Sequence, residues 1–229
     1  MKLGIILTED NRSKAYLQKI LAKNIHLDEI IFMNESKNEE ILDEIISQGK
    51  KYGFDISEKI IETLQKNNLQ FKEFPFVDIN NQELVNYLKK LDLDYMIFTG
   101  GGILKEEILN CKLKFIHLHP GIVPDYKGST CFYYSILDRN VCGVSGIILN
   151  KGLDTGDIIY QRKFEKPSHS FVDEIYDPHI RSETLIDILK KNDLKNHKYK
   201  KQIPTEGTTY YIIHPVLKHI AILSCQKNI

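Results

Sequence analysis

Short apolar runs alternate with amphipathic stretches through the first half of the chain, and that rhythm leaves few folds open. Leu3 to Leu7, Glu29 to Met33, Leu69 to Phe76 and Asp94 to Thr99 read as strands. Between them, Asn11 to Ala22, Glu39 to Ile46, Glu58 to Gln65 and Asn81 to Leu91 read as helices, the first with Tyr16, Ile20 and Leu21 on one side. This alternation predicts an α/β fold, a mostly parallel sheet flanked by helices. The rhythm stops near Pro167, so residues 1–168 are expected to form the main domain and 169–229 a small C-terminal appendage. Within the appendage, Phe171 to Lys191 reads as a helix. Thr208 to Ile213 and Val216 to Leu223, with a turn at Pro215, predict a β-hairpin.

Charge narrows the partners. Lysine plus arginine and aspartate plus glutamate each number 31, a formal net charge of zero. No overall field draws such a chain to a polyanion or a lipid surface, so neither nucleic acid nor membrane is expected as a partner. No stretch is long and apolar enough to span a bilayer, and the N-terminus opens on a strand-like run rather than a signal peptide. Cys111, Cys131, Cys142 and Cys225 are scattered without metal-finger spacing. Reduced thiols and a cytoplasmic location follow as expectations. The lysine-, glutamate- and asparagine-rich stretch 34–68 reads as solvated helix faces. The apolar segment from Tyr210 to Leu223 suggests a dimer contact, hence a homodimer.

The chemistry concentrates further along. Phe115 to Gly128 reads FIHLHPGIVPDYKG: an apolar run ending in His117 and His119, then a Pro-Gly turn. Residues two apart on a strand share a face, so both imidazoles point the same way at a strand end. Asp154 and Asp157 bracket a turn between two further apolar runs, Ile147 to Leu149 and Ile158 to Tyr160. An imidazole and a carboxylate beyond the carboxyl ends of parallel strands are the parts needed to move a proton near neutral pH. One of the two aspartates can serve as the reactive carboxylate and the other as the turn former. Gly100 to Gly102 lacks dinucleotide and P-loop spacing and suits close approach of a planar ligand to bare backbone. Thr8, Arg12 and Lys14 open the first helix, where an anion is favoured, although an ordinary capped helix start explains the same residues. His117, His119 and Asp154 also make a candidate metal-ligand set, but no His/Glu motif on a helix accompanies it, and no metal is expected.

These motifs together resemble the folate-dependent formyltransferases. The resemblance rests on Phe115 to Gly128, on Gly143-Val144-Ser145 and on Gly152 to Gln161, and is sharpest from Asp94 to Gln161. That family includes glycinamide ribonucleotide transformylase, methionyl-tRNA formyltransferase and the sugar N-formyltransferases. The resemblance implies a Rossmann-like formyltransferase fold and an enzyme that uses N10-formyltetrahydrofolate as co-substrate. It implies a catalytic His119 and Asp154, with His117 at a position where the family carries asparagine and Ile147 where it carries a second histidine. It implies a pterin against Gly102, Ile103, Leu104 and Leu153. Of the family's acceptors, a nucleotide-linked amino sugar fits the short appendage and zero charge, with Thr8, Arg12, Lys14 and Lys127 as its contacts and the three cations facing the diphosphate. Two alternatives stay open: a metal-dependent hydrolase or deformylase built on His117, His119 and Asp154, and a formyltransferase-like protein that binds without catalysing.

Overall fold

A computed structural model describes residues 1–35, 41–100, 102–191, 194 and 199–226. Its backbone falls into two compact units, Met1–His117 and Leu118–Ile229, with the division inside one strand.

The first unit follows the sequence rhythm. Strands β1 (Leu3–Thr8), β2 (Glu29–Met33), β3 (Lys72–Phe74), β4 (Tyr95–Phe98) and β5 (Lys114–His119) alternate with helices α1 (Asn11–Ala22), α2 (Asp43–Lys51), α3 (Ile60–Lys66), α4 (Gln82–Leu88) and α5 (Glu106–Leu109). All pairs are parallel: β1 with β2 and β4, β2 with β3, β4 with β5. Parallel strands are buried on both faces, which is why β1, β2 and β4 read as continuous apolar runs rather than alternating ones. Ile5, Ile6, Leu7, Ile31 and Ile97 are wholly buried, each worth about 1.5–3 kcal/mol relative to exposure. Asp10 caps α1, its Oδ1 accepting from the Ser13 amide at 2.8 Å. The expected helix at Glu39 begins outside the described residues and is seen as α2. The strand expected over Leu69 to Phe76 shortens to β3.

In the second unit, β5 leads into β6 (Tyr126–Gly128), α6 (Cys131–Arg139), β7 (Cys142–Ile148) and β8 (Ile158–Phe164). β7 and β8 form an antiparallel hairpin whose loop carries Asp154. A π-helical turn, Val172–Tyr176, runs into α7 (Asp177–Lys191), and the chain ends in β9 (Thr208–Tyr210) and α8 (Pro215–Gln226). The main sheet has the order β3-β2-β1-β4-β5-β7-β8, and β6 pairs with β9 in a separate parallel ribbon.

The tail is therefore not a β-hairpin. Pro215 is the first residue of α8, a position that tolerates proline because its missing N–H has no intrahelical partner. Val216, Leu217, Ile220 and Leu223, 42–59% exposed, stand three and four apart on a helix instead of alternating along a strand. No helix among the described residues is long and apolar enough to cross a membrane. Cys131, Cys142 and Cys225 are buried free thiols, and burial pushes the first two up to about 12.

Candidate active site

His119 ends β5 and is 1% exposed. Its Nε2 donates to the Tyr126 carbonyl at 2.8 Å and its Nδ1 stands 3.3 Å from Asp154 Oδ2. Burial lowers its pKa below the ordinary 6.5, against the opposing pull of the Asp154 carboxylate. A neutral ring bonded in this way carries its hydrogen on Nε2 and a lone pair on Nδ1. The turn after it is pinned by Ser145 of β7. The Ser145 hydroxyl donates to Gly121 O at 2.7 Å and accepts from the Val123 amide at 3.1 Å and from Gln161 Nε2 at 2.9 Å.

Asp154 reaches His119 through an unusual backbone. Its φ is +53°, a left-handed conformation uncommon for a side chain other than Asn, Asp or Gly. Three contacts hold it. Its Oδ2 accepts from the Gly128 amide at 2.8 Å, and Gln202 Nε2 donates to Asp154 O at 3.0 Å and to Gly156 O at 2.5 Å. Sequence reasoning missed Gln202 and Gly128, because Gly128 acts through its own amide and Gln202, from the tail, through a side chain that meets backbone carbonyls. Asp157 instead pairs with Lys201 at 2.6 Å, in keeping with a turn role.

His117, two residues before His119 on β5, is half-buried, its ring 6.4 Å from that of Phe98. The donor atoms of His117, His119 and Asp154 all lie within 4.8 Å of one another. The second histidine position of the resemblance is filled by Ile147, wholly buried in a cluster with Val123 and Ile158.

In the first unit, a cavity of about 280 Å³ opens at the carboxyl ends of β1, β2 and β4, lined by Thr8, Glu9, Asp10 and Glu35 on its polar side and by Met33, Val77, Ile79, Phe98 and Gly100. Among the described lining residues none is lysine or arginine. Arg12 lies outside it. Lys14 is 7% exposed, and its ammonium donates to Ile56 O at 2.7 Å and pairs with Glu9 at 3.1 Å. Lys127, 4% exposed, donates to Pro204 O at 2.9 Å and Glu206 O at 2.6 Å. Both ammonium groups are engaged in holding the chain, which corrects the expectation that they face a diphosphate.

Of the glycine run, Gly101 lies outside the described residues. Gly102 has φ +97°, and a Cβ there would meet one atom at 4.0 Å, so its backbone is bare on that side. Ile103 is 77% exposed while Leu104 is buried. Asn80, also missed from sequence, clamps this segment: its Nδ2 donates to Ile103 O at 3.0 Å and its Oδ1 accepts from the Lys105 amide at 2.8 Å. Leu153 is half exposed in the Asp154 loop.

Comparison with known proteins places these features. The Formyl transferase family profile matches residues 28–184, which contain His117, His119 and Asp154. Methionyl-tRNA formyltransferase from Caldanaerobacter subterraneus subsp. tengcongensis is 30% identical over 148 residues, 62% of this chain and 47% of that protein. The Finegoldia magna enzyme of the same name is 32% identical over 103 residues, 44% of this chain and 33% of its own. The chain thus spans a third to about half of these relatives. Among solved structures, a sugar N-formyltransferase from Shewanella sp. superposes with a TM-score of 0.58 at 15% identity, over 98% of this chain and 88% of that one. An N-formyltransferase from Helicobacter canadensis, in complex with folinic acid and dTDP-3-aminofucose, gives 0.61 at 14% identity over 99% and 80%. These likenesses establish the fold, and the profile match over more than half the sequence establishes descent: the chain belongs to the formyl transferase family.

Proposed function

We propose that the protein transfers a formyl group from N10-formyltetrahydrofolate to the primary amine of a nucleotide-linked amino sugar. The observation that carries this reading is the buried His119–Asp154 pair at 3.3 Å, within the stretch that matches the family. Formyl transfer makes one C–N bond and breaks another, while the amine loses a proton and the leaving nitrogen gains one. His119 Nδ1 is the atom to take that proton, since its Nε2 hydrogen is committed to Tyr126. Asp154 steadies the imidazolium that forms. His117 Nδ1 or Nε2 supplies an N–H to the negative charge that develops on oxygen, the part an amide plays elsewhere in the family.

The residues fit the donor. The bare backbone at Gly102 leaves room for a flat ring, and Asn80 fixes the segment that would hold its polar edge. Gly102, Ile103 and Leu104 would hold the pterin, Ile103 offering it an exposed apolar side chain. When bound, the folate supplies the activated formyl group. Support for the acceptor class comes from the zero net charge and from the solved relatives that are sugar N-formyltransferases. Thr8 and Arg12 remain as acceptor contacts.

The test is incubation with formylated folate and a panel of nucleotide-linked amino sugars, with products read by mass spectrometry. At least one N-formyl sugar is expected. No formylated product from any sugar in the panel overturns the reading in favour of a binding protein without catalysis.

A further inference from the structure

A buried cation stands beside His119. Arg181, at the start of the second turn of α7, is 8% exposed. A guanidinium keeps its charge at any pH a protein meets, so it has to be paired where water is shut out. Two bonds pair it. Its Nε donates to Asp177 Oδ1 at 2.8 Å, one turn back on α7, and its Nη1 donates to Leu118 O at 2.8 Å. Leu118 O belongs to the peptide that carries His119, so one side chain ties α7 to the end of β5 next to the ring. The two bonds leave the guanidinium in different directions, a use of its rigid fork that the compact ammonium of lysine matches only as a point charge.

We propose that Arg181 is a positioning residue for His119: it fixes the peptide from which the ring hangs and opposes the Asp154 carboxylate with a permanent positive charge. The proposal rests on the reading of His119 as the base of formyl transfer. A base useful near neutral pH has to take a proton and give it up again. The groups around the ring pull both ways. Burial is the largest influence and disfavours the imidazolium. Asp154, from the β7–β8 loop, favours it, Arg181 disfavours it, and the Tyr126 carbonyl and Asp177 favour it. The Cys131 thiol of α6 adds no charge: burial, then Asp154, push it up to about 12, and Arg181 works against them. The guanidinium and the Asp154 carboxylate thus act on the same two buried groups with opposite sign. Without Arg181, Asp154 would hold the proton on the ring and slow its return to the leaving nitrogen.

The test reads the ring itself and needs no substrate, so its outcome is separate from whether formyl transfer is found. Protein with isotope-labelled histidine is titrated by NMR, the His119 signal being the one lost in His119→Gln. Arg181→Gln keeps a donor for Leu118 O and removes the charge, and its ring is expected to take up a proton at higher pH than the parent's. Asp177→Asn removes the opposing charge, and its ring is expected to titrate at lower pH. Arg181→Lys, which keeps the charge, should titrate as the parent does. A residue that merely held the fold together would loosen it on either change and move both neutral variants the same way. Folding of each variant is checked by circular dichroism. An unchanged His119 titration in folded Arg181→Gln, or a shift of the same sign in Arg181→Gln and Asp177→Asn, overturns the proposal. If Arg181→Gln does not fold, absence of the downward shift in Asp177→Asn overturns it.

Discussion

At the scale of single residues, the site turns on where the hydrogens of His119 lie. Because burial depresses its pKa below 6.5, the unfolded chain takes up a proton near that pH while the folded one still resists. The stability tied to this residue is therefore complete above about pH 6.5 and drains away as pH falls toward the folded value. Melting temperatures at about pH 7.5 and 5.5 should differ more in the parent than in His119→Gln, which has no imidazole to titrate. In formyl transfer, the same variant should lose about 100- to 10,000-fold in kcat, the span typical of a lost general base. His119 could be picked out as a candidate because it ends an apolar run before a Pro-Gly turn, and Asp154 because the family resemblance singled it out from Asp157. What holds them could not be. Gln202 and Asn80 act on backbone carbonyls and amides, and a polar residue in a loop carries no mark of which carbonyl it will meet. Gln202→Ala should cost about 1–2 kcal/mol of stability, measured by denaturant unfolding, and lower kcat by about ten- to a hundredfold as Asp154 loosens.

At the scale of elements, the first half was legible and the tail was not. β1, α1 and β2 match their expected limits closely, because a buried parallel strand and an amphipathic helix leave opposite apolar patterns. Val216 to Leu223 is apolar in a way that suits either period, and only the site of Pro215 at a helix start decides it. Lys127 shows the same limit for charge. In the sequence it is a cation beside a glycine, but in the fold its ammonium binds the 204–206 segment to β6. Lys127→Met should therefore lose about 1.5–3 kcal/mol in thermal or denaturant unfolding, with KM for a nucleotide-linked substrate unchanged. A rise in KM without loss of stability would return Lys127 to the substrate.

At the scale of the whole molecule, zero net charge gives no overall field that draws in a polyanion. Methionyl-tRNA offered at physiological salt should not be formylated at a rate comparable with the best amino sugar, measured side by side with the same folate donor. The segment from Gln202 to Tyr210 is no passive addition to the fold. Gly128 pairs with Tyr210 in the ribbon of β6 and β9, so closely that a Cβ would fall 2.1 Å from Tyr210 O. The same residue's amide grips Asp154, and Gln202 grips that loop from the other side. Trimming the chain just before residue 202 would remove the Gln202 brace outright and take from Gly128 its β9 partner. Gln202 and β9 thus act as a keystone, and a form shortened before them would let its acid swing out of line.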